Sequence, residues 1–393
     1  MNINENIFLF ATNIFVFVLC GGMFMIVPHL TRKSLLFGVK IPQEQANCSE
    51  AVAMKRQYVI TCLLGSLVIL ALCILQFLLV PQWTLMATMY LWILIIPVYF
   101  IAFVPNWKKA VLLKEAKGWQ VSNVVFAETR ASHTRGNLHA LPWGWYIASF
   151  VIIIATIVLA MARYPHLPDM IPGHMDANMQ ATRYVPKTVV SVLMMPLINA
   201  AMLLIMLLAG VTIEKAKLQM DQNSPHTSFM QHRAYRKRMG NAMGFFTLAT
   251  MVLVGIVGIP IIFNVPPQVG INLFWGSMIL IAVPLVLLIA VQVKTGQGGC
   301  RVKIELSEDN LEDTEQQATA SETSKAVGRG DDKYWKLGMF YYNPDDPAII
   351  VENRFGTNIG FNYGRLPVQI GAVLSGVAFV VMYVWLTVVL IGM

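Results

Sequence analysis

The sequence predicts an all-α polytopic membrane protein with about eight transmembrane helices and a small cytoplasmic module between helices seven and eight. Only 13% of the 393 residues are charged and 56% are hydrophobic, whereas soluble domains carry about 25% charged residues. Eight apolar runs have about the 20 residues that a helix needs to cross a hydrocarbon core. They span residues 7–27, 58–80, 83–104, 144–162, 188–210, 241–263, 271–292 and 367–391.

The distribution of Lys and Arg predicts how these helices are oriented. Four connections hold 26 of the 29 cations, and they alternate with connections that hold three or none. Because cytoplasmic connections are enriched in Lys and Arg, we predict a multi-pass protein of the cell membrane with extracellular N- and C-termini. The cation-rich connections are 28–57, 105–143, 211–240 and 293–366.

The eight runs contain no Asp, Glu, Lys, Arg or His. Ion pathways and proton relays normally place ionisable side chains at membrane depth, so their absence disfavours ion-coupled transport and intramembrane proteolysis. Prolines within four of the runs are interpreted either as ordinary features of helix packing or as kinks beside a substrate site. These are Pro97, Pro196, Pro260 and Pro284.

Composition and the order of the runs divide the chain into six regions. Residues 304–332 hold nine of the 21 Asp and Glu residues and almost no aromatic residues, as in a disordered linker. The regions are a three-helix N-terminal membrane region (1–143), a helix pair flanking a Pro-rich outer loop at 163–187 (144–210), helices six and seven (211–292), a cytoplasmic acidic linker (293–332), a small cytoplasmic module (333–366) and the C-terminal helix (367–393).

Several inner segments have patterns with alternative interpretations. Residues 34–42, SLLFGVKIP, are apolar with one cation, and we expect either a short interfacial segment or a solvated connector. The basic run HRAYRKR at 232–238 is expected to contact anionic lipid rather than nucleic acid. The Gly-rich run at 294–301 is expected to end helix seven flexibly. His133 and His139 lie on different faces of a helix, which disfavours a shared metal ion.

The outer loop after span four contains the clearest candidate site. Its four prolines preclude a continuous helix and favour extended backbone before each proline. His174 and Asp176 are two residues apart, so their side chains lie on one side of an extended segment. This pair suits a divalent metal or a ligand amine; alternatively, it hydrogen-bonds the loop and fixes its shape. The candidate ligand-binding residues are Tyr164, His166, Asp169, His174, Asp176, Asn178, Tyr184 and Lys187.

At these residues the sequence resembles the outer-loop motif of Sdp-type immunity proteins and their many bacterial relatives. The motif reads Tyr-x-x-Leu-Pro-x-x-Ile-Pro-x-His, then an aromatic residue, Asn, a later Gly, and a final aromatic residue and Lys. Met175, Asp176 and Met179 replace the aromatic residue, the Asn and the Gly, and Thr182 lies near the place of an aspartate. The matching residues are Tyr164, Leu167, Pro168, Ile171, Pro172, His174, Tyr184 and Lys187.

Residues 331–367 resemble a small module at the cytoplasmic end of some of these proteins. A turn at 343–347 is expected to use Asx side chains, and VENRFG and GFNYG are expected to be two short extended pieces. The module is too small for a core of its own and is expected to dock against the inner membrane face or the helices. Arg354 is expected near Asp345 and Asp346, as an ion pair or an anion contact. Its candidate residues are Trp335, Tyr341, Asn343, Asp345, Asp346, Arg354 and Asn362.

The resemblance implies a non-enzymatic bacterial membrane protein that protects against or senses an extracellular peptide. It also implies signalling through a cytoplasmic repressor held at the membrane. The expected partners are therefore membrane lipid, an extracellular peptide and a cytoplasmic repressor or signalling protein, without direct contact to nucleic acid. Two alternatives remain: a permease for a small or lipid-like substrate, and an outer-surface metal-dependent enzyme using Asp169, His174 and Asp176. No cofactor is expected apart from that divalent metal.

Overall fold

The protein is built from long helices joined by turns and short strands. In the part of the chain that the structure describes, eight helical segments are long and apolar enough to cross a membrane, which confirms the expected fold class. The structure, a computed structural model, describes residues 3–120, 141–175, 179–215, 225–263, 265–304, 329–354 and 359–391.

The third of these segments is made of two helices that meet at Leu94. Pro97 explains the break, because it cannot donate a hydrogen bond to Ile93 and its ring crowds the carbonyl group of that residue. The helices of the described chain are α1 (Ile3–Leu30), α2 (Ser49–Leu79), α3 (Thr84–Ile93), α4 (Ile95–Ala116), α5 (Trp143–Arg163), α6 (Val189–Lys215), α7 (Pro225–Phe263), α8 (Pro267–Thr295) and α9 (Leu366–Ile391).

Helices α4 and α7 extend furthest beyond the apolar runs that predicted them. Helix α4 continues to Ala116 and helix α7 begins at Pro225. Parts of the predicted connections 105–143 and 211–240 are therefore helical. The added turns of α4 are rich in Leu, Lys, Glu and Ala, which are strong helix formers even where no lipid surrounds them.

Contacts divide the described residues into two compact units. The first unit comprises residues 1–130, 216–229 and 305–393, and the second comprises 131–215 and 230–304. In the first unit, α1, α2 and α4 pack around a core that contains Tyr58 and Phe103. Helix α9 contacts α3 through Tyr383, whose hydroxyl donates to the carbonyl oxygen of Met89 at 3.2 Å.

Residues 34–42 form a buried hairpin, so both sequence interpretations of this segment are wrong. Strands β1 (Leu35–Leu36) and β2 (Val39–Lys40) pair in antiparallel register around Phe37 and Gly38. These two turn residues have φ angles of 47° and 80°, as a tight hairpin turn requires. Four apolar side chains are then buried in the core of the first unit: Leu36, Phe37, Val39 and Ile41.

The C-terminal module of the first unit contains two further strand pairs. These strands follow β3 (Met170–Met175) and β4 (Ala181–Pro186) in the chain. Strand β5 (Trp335–Lys336) pairs with β6 (Phe340–Tyr341), and β7 (Ile350–Val351) pairs with β8 (Gly360–Phe361). The last pair agrees with the predicted extended piece at GFNYG, whereas β7 shares only Val351 with the predicted piece VENRFG. The turn at 343–347 is also confirmed, because the backbone N–H of Asp345 donates to Asn343 Oδ1 at 3.0 Å.

In the second unit, side chains of α5, α6 and α7 pack around the outer loop. A buried amide links two of its helices: Asn199 Nδ2 of α6 donates to the carbonyl oxygen of Met251 in α7 at 2.9 Å. The basic run 232–238 lies on α7. We expected this run to contact lipid, but two of its residues, His232 and Arg236, are buried in the protein. Arg236 donates to the carbonyl oxygen of Glu214 at 2.8 Å.

The Gly-rich run after α8 is a packed turn rather than a flexible end. Gln297 is buried, and the backbone of Gly299 passes so close to Gln231 that a side chain at Gly299 would clash with its carbonyl oxygen. Gln231 Nε2 also donates to the carbonyl oxygen of Val302 at 3.0 Å. Tertiary packing therefore fixes glycines that composition alone associates with flexibility.

Candidate functional site

The outer loop forms a two-stranded hairpin. Strand β3 (Met170–Met175) pairs with β4 (Ala181–Pro186) in antiparallel register, with Ile171 opposite Val185 and Pro172 opposite Tyr184. The predicted extended backbone is present in both strands, but the pairing between them was not predicted. The proline rule fails at one residue: Tyr164 precedes Pro165 and keeps helical angles of −48° and −47°.

The tip of the hairpin explains one departure from the family motif. Met179, which replaces the Gly of the motif, has a φ of 55°. This left-handed conformation costs a non-Gly residue about 1 kcal/mol, and Gly adopts it freely. Met179 packs against Gly270, where an added Cβ would lie 3.2 Å from its side chain. That contact offsets part of the conformational cost.

The base of the hairpin is fixed by apolar packing and by one lysine. Leu167 and Ile171 are buried in a cluster with residues of α5, α6 and α7. Lys187 Nζ donates to the carbonyl oxygen of Leu167 at 2.8 Å and lies 5.4 Å from the centre of the Tyr164 ring. The structure therefore places Tyr164 and Lys187 together as supports of the hairpin.

His174 lies on an exposed part of β3 and contacts the opposite strand. Its Nδ1 is 2.7 Å from Thr182 Oγ1, so the two side chains form a cross-strand hydrogen bond. Thr182 is the residue near the place where the motif often has aspartate. This geometry favours the interpretation in which His174 fixes the shape of the loop. Asp176 and Asn178 lie outside the described residues, and the metal hypothesis remains a prediction.

The other acidic and histidine candidates of the loop are separated from His174. Asp169 precedes β3 and lies at the base, where its carbonyl oxygen accepts from the backbone N–H of Lys187 at 2.8 Å. Five residues of extended chain, about 16 Å, separate Asp169 from His174. His166 lies in the turn after α5. Among the described residues, no three His, Cys, Asp or Glu side chains form a metal-binding group.

The exposed side chains of β4 include an aromatic ring and a cation. Tyr184 is 56% exposed, and its neighbour Arg183 is also exposed. Each strand of a two-stranded sheet has one edge without a partner strand. The hairpin therefore offers both side chains and backbone groups for recognition.

The second candidate site, in the C-terminal module, is built around a fully buried arginine. Arg354 is 0% exposed, forms an ion pair with Asp332, and donates to the carbonyl oxygen of Gly38 at 2.9 Å. Its guanidinium also lies 4.8 Å from the centre of the Trp335 ring. The expected pairing of Arg354 with residues 345 and 346 is wrong, because the chain brings the linker-derived Asp332 to it instead.

The two expected acidic partners have other environments. Arg329 Nε donates to Asp346 Oδ2 at 2.6 Å, while Asp345 is exposed. The hydroxyl of Tyr341 donates to the same carboxylate at 3.0 Å. Asn362 Nδ2 donates to the carbonyl oxygen of Asn343 at 2.8 Å. These contacts form the internal core of the module rather than an open ligand site.

The ionisation of Asp332 and Asp346 follows from these contacts. Burial alone would raise the pKa of Asp332, but Arg354 and Lys114 outweigh burial and lower it below the ordinary value. Burial likewise opposes ionisation of Asp346, but the hydrogen bonds from Arg329 and the backbone of Ala348 lower its pKa. Both carboxylates are therefore charged at neutral pH.

Sequence reasoning missed how the module is attached. Asp332 also accepts from Lys114 Nζ of α4 at 2.7 Å, and Arg32 pairs with Glu352. Asp332 ends the acid-rich stretch that predicts a disordered linker, and composition alone does not indicate that it contacts Lys114 and Arg354. Residues 305–328 of that linker lie outside the described residues, as do residues 133 and 139.

The two hairpin tips of the first unit also meet. Leu337 and Gly338, between β5 and β6, have φ angles of 53° and 73°, like the pair at 37 and 38. A Cβ on Gly38 would lie 1.9 Å from the carbonyl oxygen of Gly338, so the backbones are in direct contact. The sequence has the same pattern at both tips, because Gly38 and Gly338 each lie between two apolar residues.

The fold and these two sites define a multi-pass integral membrane protein with a hairpin between α5 and α6 and a docked module before α9. A family model described as a domain of unknown function (DUF1648) matches residues 151–200. This match covers the end of α5, the β3–β4 hairpin and the start of α6. No curated protein and no solved structure matches the chain.

Proposed function

We propose that this protein is a bacterial membrane protein of the Sdp-immunity type, which binds an extracellular peptide on the β3–β4 hairpin. The observation that carries the proposal is a hairpin with a fixed base and two exposed side chains, the aromatic Tyr184 and the cationic Arg183. The family match includes the whole hairpin, and the resemblance to the immunity motif lies at the same residues.

The binding mode follows from the strand edges. An extended peptide can add to an unpaired strand edge through backbone hydrogen bonds, while neighbouring side chains provide selectivity. Tyr184 offers a large exposed ring with few torsions to immobilise, and Arg183 offers a charged donor. Because Lys187 and Ile171 already hold the base, binding orders little additional chain.

The side of the membrane follows from the cation distribution. From the positive-inside rule we expect the hairpin outside the cell and the module in the cytoplasm. A peptide that acts from outside would then meet the hairpin first. Signalling to a cytoplasmic repressor is the finer part of the proposal, and the module is the element that such a partner would contact.

A protection assay tests this function. The chain is expressed in a bacterium sensitive to the secreted peptide toxin of an Sdp system, and survival is measured across toxin concentrations. We expect expression to raise the inhibitory concentration, and Tyr184→Ala to remove most of that increase at an unchanged protein level.

Phe150→Ala is the matched control, since Phe150 is an aromatic residue of α5 with 57% exposure that lies in a predicted span. It should retain protection. A chain that accumulates in the membrane without raising the inhibitory concentration would refute the proposed function.

A further inference from the structure

One face of α2 is open near the start of the helix. Side chains spaced by three and four residues from Ser49 to Thr61 line an open depression of about 600 Å³. This spacing places them on a single helix face for about 18 Å. The residues between these two limits that line the depression are Val52, Ala53, Arg56, Gln57 and Ile60.

The depression crosses the expected boundary of the hydrocarbon core. The uninterrupted apolar run of α2 starts at Tyr58, so Arg56 lies just before it and Ile60 lies within it. Val52 and Ile60 are 50% and 45% exposed. A molecule that fills the depression therefore needs a polar group beside Arg56 and an apolar chain beside Ile60.

The charge at the rim is positive. Arg56 has no hydrogen bond or ion pair to another described residue, and Lys109 Nζ of α4 contacts the neutral amide oxygen of Gln57 at 2.6 Å. The nearby carboxylate of Glu50 pairs with Lys117 at 3.0 Å. Within the described chain, no carboxylate neutralises Arg56 or Lys109.

We propose that this depression binds an anionic phospholipid, with its phosphate between Arg56 and Lys109 and an acyl chain along Ile60. A guanidinium and an ammonium group are the side chains that most commonly bind phosphate. The rim charge is complementary to an anionic headgroup, and the apolar end is complementary to an acyl chain. The site is independent of the outer hairpin.

Lipid binding to the purified full chain tests this proposal. Native mass spectrometry in detergent measures the apparent affinity for phosphatidylglycerol, with phosphatidylcholine and glycerol 3-phosphate as comparison probes. We expect phosphatidylglycerol to bind at least several-fold more tightly than either. The Arg56→Gln, Lys109→Gln double variant should lose about tenfold in that affinity. Each Lys or Arg side chain beside an anionic headgroup contributes electrostatic attraction to the free energy of lipid binding.

Two further variants test whether the lipid binds at this site or is attracted only by the overall positive charge of the protein. Lys33→Gln with Lys108→Gln removes the same charge from exposed positions of the same unit and should retain the affinity. Ala53→Trp keeps the charge, fills the depression and should weaken binding as well. Equal loss in the Lys33, Lys108 variant, unchanged affinity in Ala53→Trp, or equal binding of phosphatidylcholine would overturn the proposal.

Discussion

At the residue scale, the hydrogen bond between His174 and Thr182 joins the two strands of the outer hairpin near its tip. Both side chains are exposed, so the bond contributes about 1 kcal/mol or less to stability. A metal or amine contact through His174 would have to use Nε2, because Nδ1 is already engaged.

We predict that His174→Ala and Thr182→Val destabilise the hairpin by similar small amounts. Because they remove the same bond, the double variant should be little worse than either single variant. Thermal unfolding of the three purified variants measures this coupling. Fully additive effects would show that the two side chains act independently.

Asp346 gives a prediction for pH dependence. Its pKa is lowered in the folded protein, so the stabilisation from its contact with Arg329 is present above about pH 4 and is lost as the pH falls through the folded pKa. We expect Asp346→Asn to destabilise the module by about 2 kcal/mol at pH 7.

Hydrogen exchange of the Trp335 segment between pH 3 and pH 7 checks this expectation, after correction for the intrinsic exchange rate. The wild-type protection should fall at the acidic end, and Asp346→Asn should show lower protection with a weaker dependence on pH. Parallel curves for the two proteins would contradict the assignment of Asp346.

At the element scale, the contact between the two hairpin tips holds the module against the first connection. Gly38→Ala should disrupt this contact, because its Cβ would overlap the carbonyl oxygen of Gly338. Gly118→Ala is a matched control, since Gly118 also has a positive φ, at 62°, but has open space around it.

Limited proteolysis of the full chain measures the effect. We expect Gly38→Ala to increase cleavage within 333–354 severalfold, whereas Gly118→Ala should add only the cost of the backbone angle, about 1–2 kcal/mol, without a steric clash. Equal cleavage rates in the two variants would mean that the tips do not hold the module.

The elements differ in how far the sequence predicts them. Apolar length alone predicts the spans, because lipid requires helices. The hairpins at 34–42 and 170–186 were missed, since strands of two to six residues acquire their pairing from contacts with distant helices. The partner of Arg354 was missed for the same reason: Asp332 is closer in space than Asp346, although Asp346 is closer in sequence.

At the scale of the whole molecule, orientation rests on the cation distribution and predicts which surfaces are accessible from outside. In a cysteine-free background, Arg183→Cys should react with a membrane-impermeant thiol reagent on intact cells, and Lys336→Cys should not. Both residues are exposed, so a permeant reagent should label both. Labelling of Lys336→Cys alone by the impermeant reagent would reverse the orientation.

The central claim is that an extracellular peptide binds the outer hairpin. Replacing Tyr184 with a photoreactive phenylalanine analogue, and irradiating intact cells with the toxin peptide, tests this contact directly. The account predicts a cross-link at position 184 that excess unlabelled peptide abolishes, and none from the same replacement at Phe150. Absence of a cross-link at position 184 in cells that the protein protects would contradict the account.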